Sequence, residues 1–259
     1  MIDLSLHKAG FVDGHPQKGA SEEEGYYSTD GEDGVVEKIF ESIDAKDKVV
    51  VELGAGNGWW EEKYWSNSYR WIKKGWRALL IEGDEARFNT LKESMNSFKK
   101  VTCEKAFISL NEGQELDSIL KKNLVQSDFD LLSIDIDGND YWVWAELKYR
   151  PKVVIIEYNS NWEERISIPY DELHCWDESQ FFGASASALE RLGHYKGYDL
   201  VAFCKRNNLV FLRSDLNDGR FKIMNLNDKD SYIEKDHHRG LSEEQKNRLV
   251  LNPSFCWGK

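Results

Sequence analysis

Apolar residues along this chain fall into two alternating rhythms. One is a short unbroken run rich in Val, Ile and Leu, as at 48–52, 77–82, within 101–108, at 129–135 and at 152–157. The other places an apolar residue every three or four positions, as at 34–43 (Val35, Val36, Ile39, Phe40, Ile43), 59–74, 86–98, 118–124 and 141–148. The first rhythm predicts strands buried on both faces, the second amphipathic helices. Strands that alternate with helices imply right-handed crossovers and a parallel sheet covered on both sides, a doubly wound α/β fold. The rhythm changes after 157. Residues 158–182 are polar and aromatic without a period, and 185–192 is helical. Runs at 198–203 and 208–213, joined by 204–207, read as a hairpin. The expectation is a mostly parallel seven-stranded sheet with an antiparallel C-terminal hairpin. Around it stand a polar arm or lid (1–34), a core (35–214) with an insertion at 158–182, and an extension (215–259) holding one predicted helix, 243–251.

The first run ends in Glu52-Leu53-Gly54-Ala55-Gly56-Asn57-Gly58, a loop between a strand and a helix with a glycine at every second position. In open α/β sheets that crevice takes nucleotide-like cofactors. A dinucleotide fingerprint, G-x-G-x-x-G, needs a glycine where Trp59 stands, and no Lys-Ser/Thr pair follows to make a phosphate loop. Nothing basic lies in the loop, and Glu52 would repel a pyrophosphate while suiting a cation. The spacing E-x-G-x-G-x-G resembles the first motif of Rossmann-like S-adenosylmethionine (SAM) methyltransferases. That resemblance implies that Gly54, Gly56 and Gly58 pass under the methionine part of SAM, with Glu52 beside them. The competing reading is a plain glycine turn without cofactor.

Glu82 closes the second run, where an acid accepts hydrogen bonds from ribose hydroxyls; Asp84, just before a helical run, reads better as a helix cap. Ala106 and Phe107 fall where adenine would sit, although Phe107 also reads as core. Asp135-Ile136-Asp137-Gly138-Asn139-Asp140 follows the fourth run and Glu157-Tyr158-Asn159 ends the fifth. Parallel neighbours end on one edge, so these acids should gather there. Carboxylates so close repel unless one is protonated, a cation intervenes or hydrogen bonds screen them. Oxygen ligands suit Mg²⁺ or another hard divalent cation, with Asp135, Glu157 and Asn159 as candidate ligands and Asp135 also facing SAM. Such an ion would hold acceptor oxygens and acidify a hydroxyl, and catechol-type methyltransferases place ligands there. Asp140 reads equally as a helix cap.

Composition narrows the partners. With 34 basic and 46 acidic residues the formal net charge is −12, which argues against a nucleic-acid backbone as partner. The four cysteines make no zinc or C-x-x-C spacing. The first residues form no signal peptide, and no apolar run approaches the ~18 residues of a membrane span. The expectation is a cytoplasmic protein without a membrane span; the oligomeric state, a homo-oligomer included, stays open.

Further segments resemble FkbM-type methyltransferases: Tyr27-Ser28-Thr29-Asp30-Gly31-Glu32-Asp33-Gly34 (with Thr29 where that family has Gln), Gly75-Trp76, Ile81-Glu82-Gly83-Asp84, Asp135-Ile136-Asp137-Gly138, Ile155-Ile156-Glu157-Tyr158-Asn159 and Lys196-Gly197-Tyr198-Asp199-Leu200-Val201. The resemblance covers residues 26–214. It implies a Rossmann-like fold, SAM as methyl donor, Glu32 or Asp33 near the methionine end, and O-methylation of a sugar or natural product. Such a reaction needs a base, for which Asp137, Asp140 and His194 are candidates; His174 is the other histidine in this stretch. Trp162 and Trp176 in the insertion are substrate-side candidates. Trp60 and Trp65 could line a pocket or simply pack. The alternatives are an N-methyltransferase or other SAM enzyme on the same fold, and a non-catalytic SAM- or nucleotide-binding module.

Overall fold

Val49–Leu53 (β1) is buried along its whole length, as its β-branched residues require in a strand covered on both faces. Around it the computed structural model describes residues 1–4, 11–12, 15–16, 27–28, 30–58, 66–204, 207–226 and 238–253. Most of the predicted arm lies outside those residues. So do Thr29, Trp59, Trp60, Tyr64, Trp65 and His237.

The other strands are Arg77–Glu82 (β2), Val101–Lys105 (β3), Leu131–Ile134 (β4), Val153–Glu157 (β5), Tyr198–Cys204 (β6) and Asn208–Arg213 (β7). They form one seven-stranded sheet in the order β3-β2-β1-β4-β5-β7-β6. The first five are parallel. β7 returns antiparallel between β5 and β6, with Asn208 opposite Glu157. The predicted α/β architecture with its antiparallel hairpin is what the chain adopts, and the hairpin belongs to the main sheet.

Alternate strand residues serve two cores. Val51, Leu53, Leu79, Ile81, Leu132 and Ile156 pack in one with Trp144 and Leu189. Val50, Ala78, Leu80, Leu131, Val153 and Ile155 pack in the other with Val35, Ile39, Trp71 and Leu91. The helices contributing side chains to the two cores are Glu32–Ser42 (α1), Tyr69–Lys73 (α2), Glu85–Ser94 (α3), Leu116–Lys122 (α4), Asp140–Glu146 (α5) and Ala186–Lys196 (α6). At the edge of the sheet where the strands begin, Lys152 Nζ lies 2.6 Å from Asp130 Oδ1, both buried. Lys152 also donates to the Asp44 carbonyl and Asp130 accepts from Val49 N–H, so neither charge is left with a single partner.

The extension departs from expectation. The predicted 243–251 helix stops at Arg248 (Glu243–Arg248, α8, after a short α7 at Ser214–Asn217). Val250–Leu251 instead pairs antiparallel with Ile166–Ser167 inside the insertion. Both backbone groups of Ile166 bond Ser185, and the buried Ser167 beside it faces Val250, a partner that a continued helix could not supply. No described helix is long and apolar enough to cross a membrane.

Candidate functional site

The strands β1, β2, β4 and β5 end at a cavity of about 1050 Å³, lined by residues of the glycine loop, Glu82, Phe107, Asp135, Asp137, Glu157, His174, Trp176, Phe182 and His238 among others. That volume suits a nucleoside-sized ligand with a small second molecule beside it.

The glycine loop forms one wall. Gly54, Gly56 and Gly58 have φ of 71°, 59° and 74°, the left-handed region that side chains with a Cβ disfavour. Gly54 also lies so close to β4 that a Cβ would stand 1.6 Å from the Asp135 carbonyl oxygen. The Gly54 and Ala55 N–H groups donate to the Ile81 carbonyl, and Gly56 N–H donates to Glu82 Oε2 at 2.8 Å. Glu82 Oε1 accepts from Asp84 N–H. Each oxygen of that carboxylate still has a lone pair for a hydroxyl donor. Asp84 caps α3 through Arg87 N–H, the role its position suggested. Beyond Glu82, the Phe107 ring lies on Gly83, where a Cβ would be 2.5 Å from it. At 63% exposed, this ring is a platform facing the cavity and not part of the core.

Opposite stands the acid cluster. Asp135, Asp137 and Glu157 offer oxygens within 4.8 Å of one another, a spacing that favours a proton, a positive charge or hydrogen-bond donors among them. Burial, and then the charges of Asp137, Asp140, Glu52 and Glu32, hold the Asp135 carboxyl well above the usual range. Burial also raises Asp137, against the pull of Arg87, His174 and His238. Asp137 itself has a left-handed backbone, φ 53°, uncommon outside glycine.

The other expected site residues stand around the cavity without lining it. Glu52 is buried and accepts from Ser66 Oγ, Asn67 N–H and Ser68 Oγ, fixing the chain that leads into α2; burial raises its carboxyl. Glu32 accepts from Asp30 N–H and Asn208 Nδ2. Asp140 is not the helix cap expected of it: it is the first residue of α5, and its carboxylate accepts from the Ile136 and Gly138 N–H groups, bracing the turn between β4 and α5, while burial lifts its pKa to about 6. Asn159 does not join Asp135 and Glu157. Its Nδ2 donates to the Gln180 and Phe182 carbonyls and its Oδ1 accepts from Asn161, so it organises the insertion. His194 is exposed in the last turn of α6 and stands apart from the cavity. Trp162 does not line it either, whereas Trp176 does.

Two histidines that the sequence did not single out do reach the cavity: His174 in the insertion and His238 in the extension. His238 meets Trp176 and Phe182 in a corner of three rings with centroids 5.0–5.9 Å apart. The only local signal for His174 was its place in the aromatic insertion beside Trp176.

No family model matches this chain, and no curated protein matches it. Solved structures that it resembles include a SAM dependent methyltransferase from Aquifex aeolicus, at 12% identity over 69% of this chain and 89% of that one, TM-score 0.38. Others are the METTL16 MTase domain, at 15% over 69% and 65%, TM-score 0.42, and the CcbJ methyltransferase from Streptomyces caelestis, at 11% over 72% and 91%, TM-score 0.42. Likeness at this level bears on neither substrate nor mechanism.

Proposed function

We propose that this protein binds SAM along the glycine loop and transfers its methyl group to a hydroxyl of a small molecule. One observation carries the reading: the left-handed glycine loop and Glu82, hydrogen-bonded to each other, share a cavity with a cluster of mutually repelling acids and no phosphate-binding loop. SAM fits each part. Its ribose hydroxyls can donate to the free lone pairs of Glu82, its adenine can lie on Phe107, and its cationic methionine end meets the acids. The sulfonium is the cation we assign to the Asp135–Asp137–Glu157 cluster, with Asp135 holding a proton, so no divalent metal enters the reaction. A hydroxyl acceptor of the sugar or natural-product kind would occupy the half of the cavity walled by the insertion.

The methyl carbon is already electrophilic. What the protein adds is alignment of the acceptor oxygen with carbon and sulfur, and removal of a proton. Calorimetry with SAM, S-adenosylhomocysteine and NAD tests the cofactor: SAM and its product should bind, and binding of NAD alone rejects the reading. Glu82→Gln keeps the shape but loses the charge, and should weaken SAM at least tenfold. Methyl-labelled SAM then shows which atom receives the label. Label on nitrogen rejects the hydroxyl acceptor, and activity abolished by excess chelator rejects the metal-free assignment.

A further inference from the structure

The segment Asp137-Gly138-Asn139 is arranged around a single side chain, His174. The Asp137 carbonyl oxygen lies 3.1 Å from His174 Nε2. A Cβ on Gly138 would stand 2.3 Å from His174 Cδ2, so the imidazole can lie there only because residue 138 has no side chain. The Asn139 side chain clamps the turn that carries the histidine: its Nδ2 donates to the Asp171 carbonyl and its Oδ1 accepts from Asp171 N–H. His174 N–H in turn donates to that same carbonyl. Three consecutive residues at the end of β4 thus fix the ring's position, its face and the loop beneath it.

This geometry also selects the tautomer. A carbonyl oxygen only accepts, so Nε2 carries the hydrogen and the basic lone pair is on Nδ1. From this arrangement, and resting on the methyl-transfer reading above, we infer that His174 is the general base for the acceptor hydroxyl. In the step, the acceptor O–H bond breaks and its proton passes to Nδ1. The oxygen forms the new bond to the methyl carbon, and the carbon–sulfur bond breaks with its electron pair going to sulfur, leaving neutral S-adenosylhomocysteine. The imidazolium then returns its proton to solvent.

The surroundings suit both charge states. Burial lowers the His174 pKa below its ordinary value, so the ring is neutral and ready at pH 7. The Asp171 and Asp177 charges in the insertion favour the imidazolium that forms, Arg248 on α8 opposes it, and Nε2–H keeps its carbonyl partner throughout. The Phe181 ring flanks the imidazole at 6.1 Å. The Asp137 carboxylate also feels the His174 charge. Asp135, held well above the usual range by burial and its neighbours' charges, keeps a proton already, whereas the imidazole rests neutral with a free lone pair.

The test uses the full chain with methyl-labelled SAM and a pool of methyl glycosides, catechol and primary amines. His174→Gln keeps a donor for the Asp137 carbonyl and removes the base; Gly138→Ala keeps the imidazole and displaces it. Both should bind SAM as wild type does by calorimetry, while kcat for hydroxyl methylation falls by roughly 10²–10⁴-fold. In wild type the rate should fall as pH drops through the His174 pKa below 6.5, and this acid limb should vanish in His174→Gln. ¹⁵N-histidine spectra of the S-adenosylhomocysteine complex should show the Nε2–H tautomer at pH 8. A transferring, SAM-binding enzyme in which His174→Gln keeps its rate within threefold, or spectra showing Nδ1–H, overturns the base and leaves the methyl-transfer reading standing. SAM binding with no label on any acceptor overturns both.

Discussion

Gly54 joins two separate demands at one residue: a left-handed backbone and a neighbouring carbonyl closer than any side chain allows. Gly54→Ala must leave the left-handed region or push β4 away, a loss of at least about 2 kcal/mol from backbone strain and overpacking together. The denaturation midpoint should drop accordingly and SAM binding should be lost. A variant that melts and binds like wild type would show that the loop is not held as described. Residues such as this one were legible in the sequence because their cause is local: an alternating glycine pattern after a buried strand, and an acid at the end of the next. Asp84 was legible as a cap for the same reason, whereas Asp140 turned its carboxylate back onto the preceding turn. His174 was not, because what defines it is contact with Asp137, Gly138 and Asn139, far away along the chain. His194 looked similar in sequence and is solvent-exposed on α6.

Among the elements, residues 238–253 hold the insertion by surface contacts. Arg239 pairs with Asp177, Arg248 pairs with Asp171 and lies over Phe181, and Gln245 bonds Asp177 and Ser179. α8 opens with a Ser242–Gln245 capping box and buries none of its side chains. Exposed pairs of this kind contribute about 0–1 kcal/mol each and weaken in salt. Arg239→Ala combined with Arg248→Ala should therefore speed hydrogen exchange at the Ile166–Ser167 and Val250–Leu251 pairing at least severalfold, with SAM affinity unchanged. Exchange as slow as in wild type would mean that the strand pairing and the remaining bonds, such as Tyr141 Oη to the Pro253 carbonyl, hold the segment without the arginines. The parallel strands were readable from their apolar runs, and Arg77–Glu82 and Asn208–Arg213 have the predicted bounds. The Val250–Leu251 strand was not readable: it directly follows the polar run of α8 with no turn signal between them, and its partner lies in a segment with no period.

On the scale of the whole molecule, charge is sorted by sheet edge. The buried Lys152–Asp130 pair sits where the strands begin, while Glu52, Glu82, Asp135 and Glu157 crowd where they end. Asp33 at the start of α1 belongs to that acidic end. It is 1% exposed, accepts from Tyr27 and Ser28 N–H on Oδ2, and has no hydrogen-bond partner for Oδ1 among the described residues. Burial, with the Glu32 charge adding, pushes its pKa up to about 7. A carboxyl raised in the folded state binds its proton more tightly there than when unfolded. Its contribution to stability is complete below the unfolded value and is lost as pH rises through about 7, with a slope of up to roughly 1.4 kcal/mol per pH unit in between. Asp33→Asn keeps an acceptor without the charge. It should melt higher than wild type at pH 8 and gain much less at pH 5, which lies low in the window between 3.8 and about 7; an equal difference at both values would place the titration elsewhere. The cavity itself is built from unequal parts of the chain. The residues assigned to the cofactor fall between Gly54 and Glu157, and their sheet closes with β7, whereas the corner of Trp176, Phe182 and His238 waits for the chain to reach 238. A domain generally folds as a unit, so the proposed donor wall and the proposed acceptor wall form together, and only once the chain has reached 238 can the cavity exist at all.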